Sequence, residues 1–116
     1  MTAQQERIST HTLVHDLIPK LKATERLVDG TLRGRVERSE DPRETARLEE
    51  LKAEFELEIA MIRMNLEHLL RRYDRQLEDA GRDGQADSAM LTLDAHEAVA
   101  IESARALYRR ARELAR

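Results

Sequence analysis

The chain contains no cysteine among its 116 residues. Disulfides, thiolate metal sites and a cysteine nucleophile are therefore excluded. Aromatic residues are almost as scarce, with only Phe55, Tyr73, Tyr108 and no tryptophan. A core must come from Leu, Ile, Val, Ala and Met, which suits helix packing better than a β-sandwich. The same scarcity removes the stacking platforms that single-strand nucleic-acid binders use. No apolar run approaches the ~20 residues of a membrane span. Met1 to Arg7 is polar and lacks the apolar core of a signal peptide. These absences predict a cytoplasmic protein that does not enter membranes. Lysine occurs only at Lys20, Lys22 and Lys52, with Arg supplying the other basic positions, a bias associated with GC-rich bacterial genomes.

Charge is plentiful at 37% of residues, against 41% hydrophobic. That balance places the chain outside the disordered class. Its length suits one domain. The net charge of −3 gives no general pull toward nucleic acid or anionic lipid. Locally, Glu37 to Glu58 is acidic, and Arg105, Arg109, Arg110, Arg112 and Arg116 make the C-terminal end basic.

With two prolines and four glycines, punctuation is sparse and informative. Asp41-Pro42-Arg43-Glu44 combines a capping carboxylate, a proline at the first helical position and a glutamate three residues after the cap. A helix begins there. Leu48, Leu51, Phe55, Ile59, Ile62, Leu66, Leu69, Tyr73, Leu77 and Ala80 then recur every three or four residues, one face of a single helix. The step from Phe55 to Ile59 breaks a strict heptad, which favours a bundle over a long coiled coil. A second stripe, Leu57, Met61, Met64 and His68, reads as lying beside the first in mid-helix. Its simplest cause is burial against more than one neighbouring helix. His68 is accordingly expected to be partly buried and satisfied by a neighbour. Gly81 to Gly84 reads as the helix stop.

Upstream, Val14, Leu17, Ile18, Leu21, Leu27, Val28, Leu32 and Val36 keep helical spacing, interrupted at Pro19, where a kink or a nearby helix start is expected. Gly30 and Gly34 either admit a close helix neighbour or sit on an exposed face. Downstream, Asp94 with Glu97 forms a capping box, and Ser88 is a competing start. Ile101, Ala104, Leu107, Tyr108, Ala111 and Leu114 follow. No strand is apparent. The expectation is an all-α bundle, an antiparallel hairpin of helices 10–38 and 42–80 plus a third helix 89–116, dimeric so as to cover the apolar faces such long helices leave open.

Chemistry-bearing residues are few. His11 and His15, four apart, share one helix face and form two of the ligands of a metal site. The glutamate of an H-E-x-x-H motif is missing. A di-iron bundle needs an acidic residue three before its histidines, and those positions hold Ile8, Thr12, Asn65 and Leu93. Arg105, Arg109, Arg112 and Arg116 share one side of the last helix, where they could face phosphates. No phosphate-binding loop or nucleophile elbow is present. The expected function is non-enzymatic and cofactor-free: a small helical interaction, regulatory or adaptor module acting through self-association and helix-face docking, with Leu57, Met61, Met64 and His68 as the partner-binding face. The alternatives are a metal- or ligand-binding bundle using His11 and His15, and a nucleic-acid-associated regulator using the C-terminal arginines.

Overall fold

In the computed structural model, which describes residues 6–75, 77–78 and 89–116, the Asp41 cap forms without the expected return contact from Glu44, whose carboxylate pairs with Arg47 at 2.6 Å instead. The Asp41 carboxylate accepts from the Arg43 amide, and Pro42 opens a 31-residue helix. The elements in chain order are β1 (Arg7–Ser9), α1 (Thr10–Thr12), a π turn (Leu13–Leu17), α2 (Ile18–Arg38), α3 (Pro42–Arg72), β2 (Met90–Thr92) and α4 (Ala95–Leu114). The protein is an all-α bundle, with one small strand pair among the described residues. Helices α2, α3 and α4 each pack against the other two.

Thr10 to Arg38 is helical throughout, and the expected disturbance at Pro19 takes the form of the π turn just before it. The Ile18 amide reaches back five residues to the Leu13 carbonyl. Proline has no N–H, and its ring collides with the carbonyl four residues earlier in a regular α-helix. Widening the preceding turn accommodates that ring without ending the helix. Gly30 makes no notch for a neighbouring helix: a Cβ added there meets nothing within 4 Å, and one at Gly34 meets only Arg38.

The predicted seam of α3 is the core. Leu48, Phe55, Ile59, Ile62, Leu66 and Leu69 are buried, against Leu21, Val28 and Leu32 of α2 and Ala100, Ile101, Ala104, Leu107 and Ala111 of α4. The alanines of α4 bury little area each but let its axis come close. Two ends differ from expectation. The helix expected to reach Ala80 is interrupted at Tyr73 (φ −117°, ψ 28°), and residues 74–75 and 77–78 are helical again. The Leu77 amide still bonds the Tyr73 carbonyl at 3.0 Å. The break coincides with the Tyr73 hydroxyl donating to the Thr92 carbonyl at 3.3 Å. Ala80, the Gly81–Gly84 stop and Ser88 lie outside the described residues.

The third helix does not begin at residue 89. Met90–Thr92 instead pairs antiparallel with Arg7–Ser9, with Ile8 opposite Leu91. The Leu93 amide extends the pairing by donating to the Glu6 carbonyl at 2.9 Å. Ile8, Leu91 and Leu93 point into the core while Met90 faces out. The strand pair thus closes one end of the bundle with its apolar side, an alternation of period two.

Candidate interaction face and polar anchor

Helix α3 carries apolar side chains on two opposite sides. The inner seam is covered by α2 and α4. Leu57, Met61 and Met64 lie on the outer side, 65%, 56% and 70% exposed. The expectation that this stripe lies beside the seam and is buried by neighbouring helices is therefore corrected. At 100° per residue, Leu57 stands roughly opposite the seam of Phe55, Ile59 and Ile62. Ala53 and Ala60 are exposed with it. Among the described residues nothing covers this row.

The stripe ends at His68, which is more exposed than expected but is held by neighbours. The His68 side chain is 62% exposed, yet its Nδ1 lies 3.0 Å from Oε2 of Glu97, and 3.7 Å from Oδ2 of Asp94. Glu97 is 1% exposed. A buried carboxylate must be hydrogen-bonded and charge-compensated, and here every requirement is met. Arg72, one helical turn beyond His68 on the same face of α3, donates to Oε1 of Glu97 at 2.6 Å. The Asp94 amide donates to the same oxygen at 2.8 Å, and the Glu97 amide donates to Oδ1 of Asp94 at 2.7 Å. The capping box read from the sequence is thus also the ion-pair anchor between α4 and α3. Arg72 extends the anchor to the strand pair by donating to the Thr92 carbonyl at 2.9 Å.

The sequence expectation for Glu97 is a capping role alone. Its spacing to Ala100, Ile101 and Ala104 places it on the buried face of α4, and a glutamate on that face requires cationic partners.

The other named residues are placed as follows. The His11 and His15 rings are neighbours, with centroids 4.8 Å apart. Among the described residues no third histidine or carboxylate joins them. The one group there whose ligand atoms converge is His68, Asp94 and Glu97, all within 4.8 Å of one another. Those three could offer one nitrogen and two oxygens to a divalent cation, with the Arg72 guanidinium retained on the far oxygen of Glu97. Arg105, Arg109 and Arg112 share one side of α4. Arg105 lies 3.9 Å from Glu102. Arg112 and Arg116 line a groove with Arg26 and Tyr108, and Arg109 is exposed. Arg110, outside that row, pairs with Glu58 of α3 at 3.2 Å and covers the Phe55 ring. Among the described residues no helix is long and apolar enough to cross a membrane.

Compared with known proteins, the chain matches no family model, no curated protein and no solved structure.

Proposed function

We propose that this chain is a helical interaction module that docks a partner helix on the outer face of α3. One observation carries the reading: Leu57, Met61 and Met64, at spacings of four and three, are each more than half exposed on one side of a well-packed helix. Single exposed apolar residues are ordinary, but a row at helical spacing is the anchor pattern of helix-to-helix docking. Methionine suits such a face because its unbranched, polarisable side chain adapts to a partner's contour. The chemistry is recognition, not turnover. The His68–Glu97–Arg72 anchor supports the face by fixing the end of α3 against α4.

The test is retention of a partner by tagged protein, either a host protein or a differently tagged copy of this chain. The Leu57→Ser/Met64→Ser variant should lose what the wild type retains while keeping its helical circular dichroism. Equal retention by both would remove the outer face from the function.

Metal binding is the second reading, favoured by the convergence of His68, Asp94 and Glu97. Calorimetric titration of tag-free protein with Zn²⁺ tests it. Binding abolished by His68→Ala supports the site, and heat unchanged in that variant, or absent from the wild type, removes it.

A further inference from the structure

The outer face of α3 has a charge order that selects its own occupant. N-terminal to the apolar row stand Glu49, Glu50 and Glu54, all exposed. Among the described residues none of these three takes part in an ion pair. C-terminal to the row stand Arg71 and, just past the end of α3, Arg75, both exposed, while His68 and Arg72 are already engaged by Glu97. Of these, Arg71 has only a 3.9 Å contact with Glu67 on its own helix. Arg43 and Arg47 are exposed at the first end and Glu67 at the second, so it is in net charge that the face runs acidic, apolar, basic.

A parallel copy of the same helix would set Glu50 beside Glu50 and Arg71 beside Arg71, and like charges held together are unfavourable. An antiparallel copy reverses the order and sets acid against base at both ends. We propose that the partner docked on α3 is a second copy of this chain, its α3 antiparallel to the first, related by a two-fold axis passing between Ala60 and Met61. The proposal rests on the docking role of the outer face and adds the occupant and its register.

That axis places Leu57 against the partner's Met64 and Glu50 against the partner's Arg71. Ala60 and Met61 then face each other across the axis, with the small Ala60 leaving room for Met61 to pack. A two-fold interface uses the same patch on both copies, so each contact away from the axis occurs twice. Three apolar residues per copy are too few for a stable interface, which buries more than about 1,000 Å² in total. The flanking charges lengthen the contact along α3, which at ~1.5 Å per residue is roughly 46 Å long. They set direction and register, the part that charged flanks play in antiparallel helix pairs.

The absence of cysteine makes the test free of background. Sedimentation should give twice the 13.4 kDa chain mass at ~100 μM. Met61→Cys should oxidise to a disulfide-linked dimer. Glu50→Cys and Arg71→Cys should each remain unlinked alone and should cross-link when mixed. Cross-linking of Glu50→Cys with itself would overturn the antiparallel arrangement. A wild-type monomer at ~100 μM would overturn the second copy as occupant. The docking face itself is judged separately: a monomer that retains a host protein, and loses it in Leu57→Ser/Met64→Ser, overturns this inference while leaving the face in place.

Discussion

The two sides of α3 are built from similar residues and live in opposite environments. On the inner side, Phe55, Ile59, Ile62, Leu66 and Leu69 are enclosed by α2 and α4. On the outer side, Leu57, Met61 and Met64 face solvent. The inner side has β-branched and aromatic residues that fill a fixed volume. The outer side has two methionines, an exposed alanine on either side of Leu57, and charge that changes sign along its length. The first composition suits packing that never reopens. The second suits a surface that meets its partner after folding, because an unbranched side chain can adjust to contacts that form late. Apolar content alone does not separate a core face from a docking face. The neighbours available within the chain do.

Substitutions at four positions would break or sharpen that contrast. The largest effect belongs to the inner side. Leu69 is fully buried, and Leu69→Ala should cost about 2–5 kcal/mol through lost burial and a residual cavity. Urea denaturation followed by helical circular dichroism measures it; a cost under ~1 kcal/mol would mean that the seam is loosely packed. Next is the anchor. Glu97→Ala removes the acceptor of Arg72, His68 and the Asp94 amide together, at a cost of roughly 2 kcal/mol after allowing for the partly exposed partners. Glu97→Gln should recover part of that cost, because the amide keeps an acceptor for the Asp94 N–H but loses the charge that Arg72 needs.

Gly30→Ala should stabilise by about 0.5–1 kcal/mol, since the position is helical and its Cβ would meet nothing within 4 Å. Destabilisation there would reveal a contact across that side of α2. The smallest effect on the isolated fold is expected on the outer side. Leu57→Ser should change the unfolding free energy of dilute protein by less than ~0.5 kcal/mol. It should also remove the dependence of the unfolding midpoint on protein concentration that self-association imposes. A large loss at dilution would instead make Leu57 part of the core.

Much of the fold was legible because its signals were local. Asp41, Pro42 and Glu44 marked the start of α3, the three- and four-residue steps from Leu48 to Leu69 marked its buried face, and Asp94 with Glu97 marked the start of α4. The strand pair was not legible as a pair. Leu91 and Leu93 alternate, but a run this short has no preference that survives alone, and its hydrogen-bond partners are Arg7–Ser9, far away in sequence. The π turn followed the same logic. Pro19 announced a disturbance, and the continuous packing of Leu13, Leu17 and Leu21 decided that the helix would widen instead of ending.

The candidate face was half legible. The sequence named Leu57, Met61, Met64 and His68 as a set, since helical periodicity is a property of one segment. They stand roughly opposite the seam rather than beside it, and whether any helix of this chain covers them depends on where α2 and α4 pack. The anchor shows the same division. Capping roles follow from residues three apart and so belong to the sequence. The burial of Glu97 beside His68 and Arg72 joins residues 25 and 29 positions apart. By itself the sequence determined where helices start and which residues share a face, because those depend on neighbours along the chain. Only the tertiary structure decided which face is covered and which charge needs a counter-charge, because burial is set by what packs across the gap.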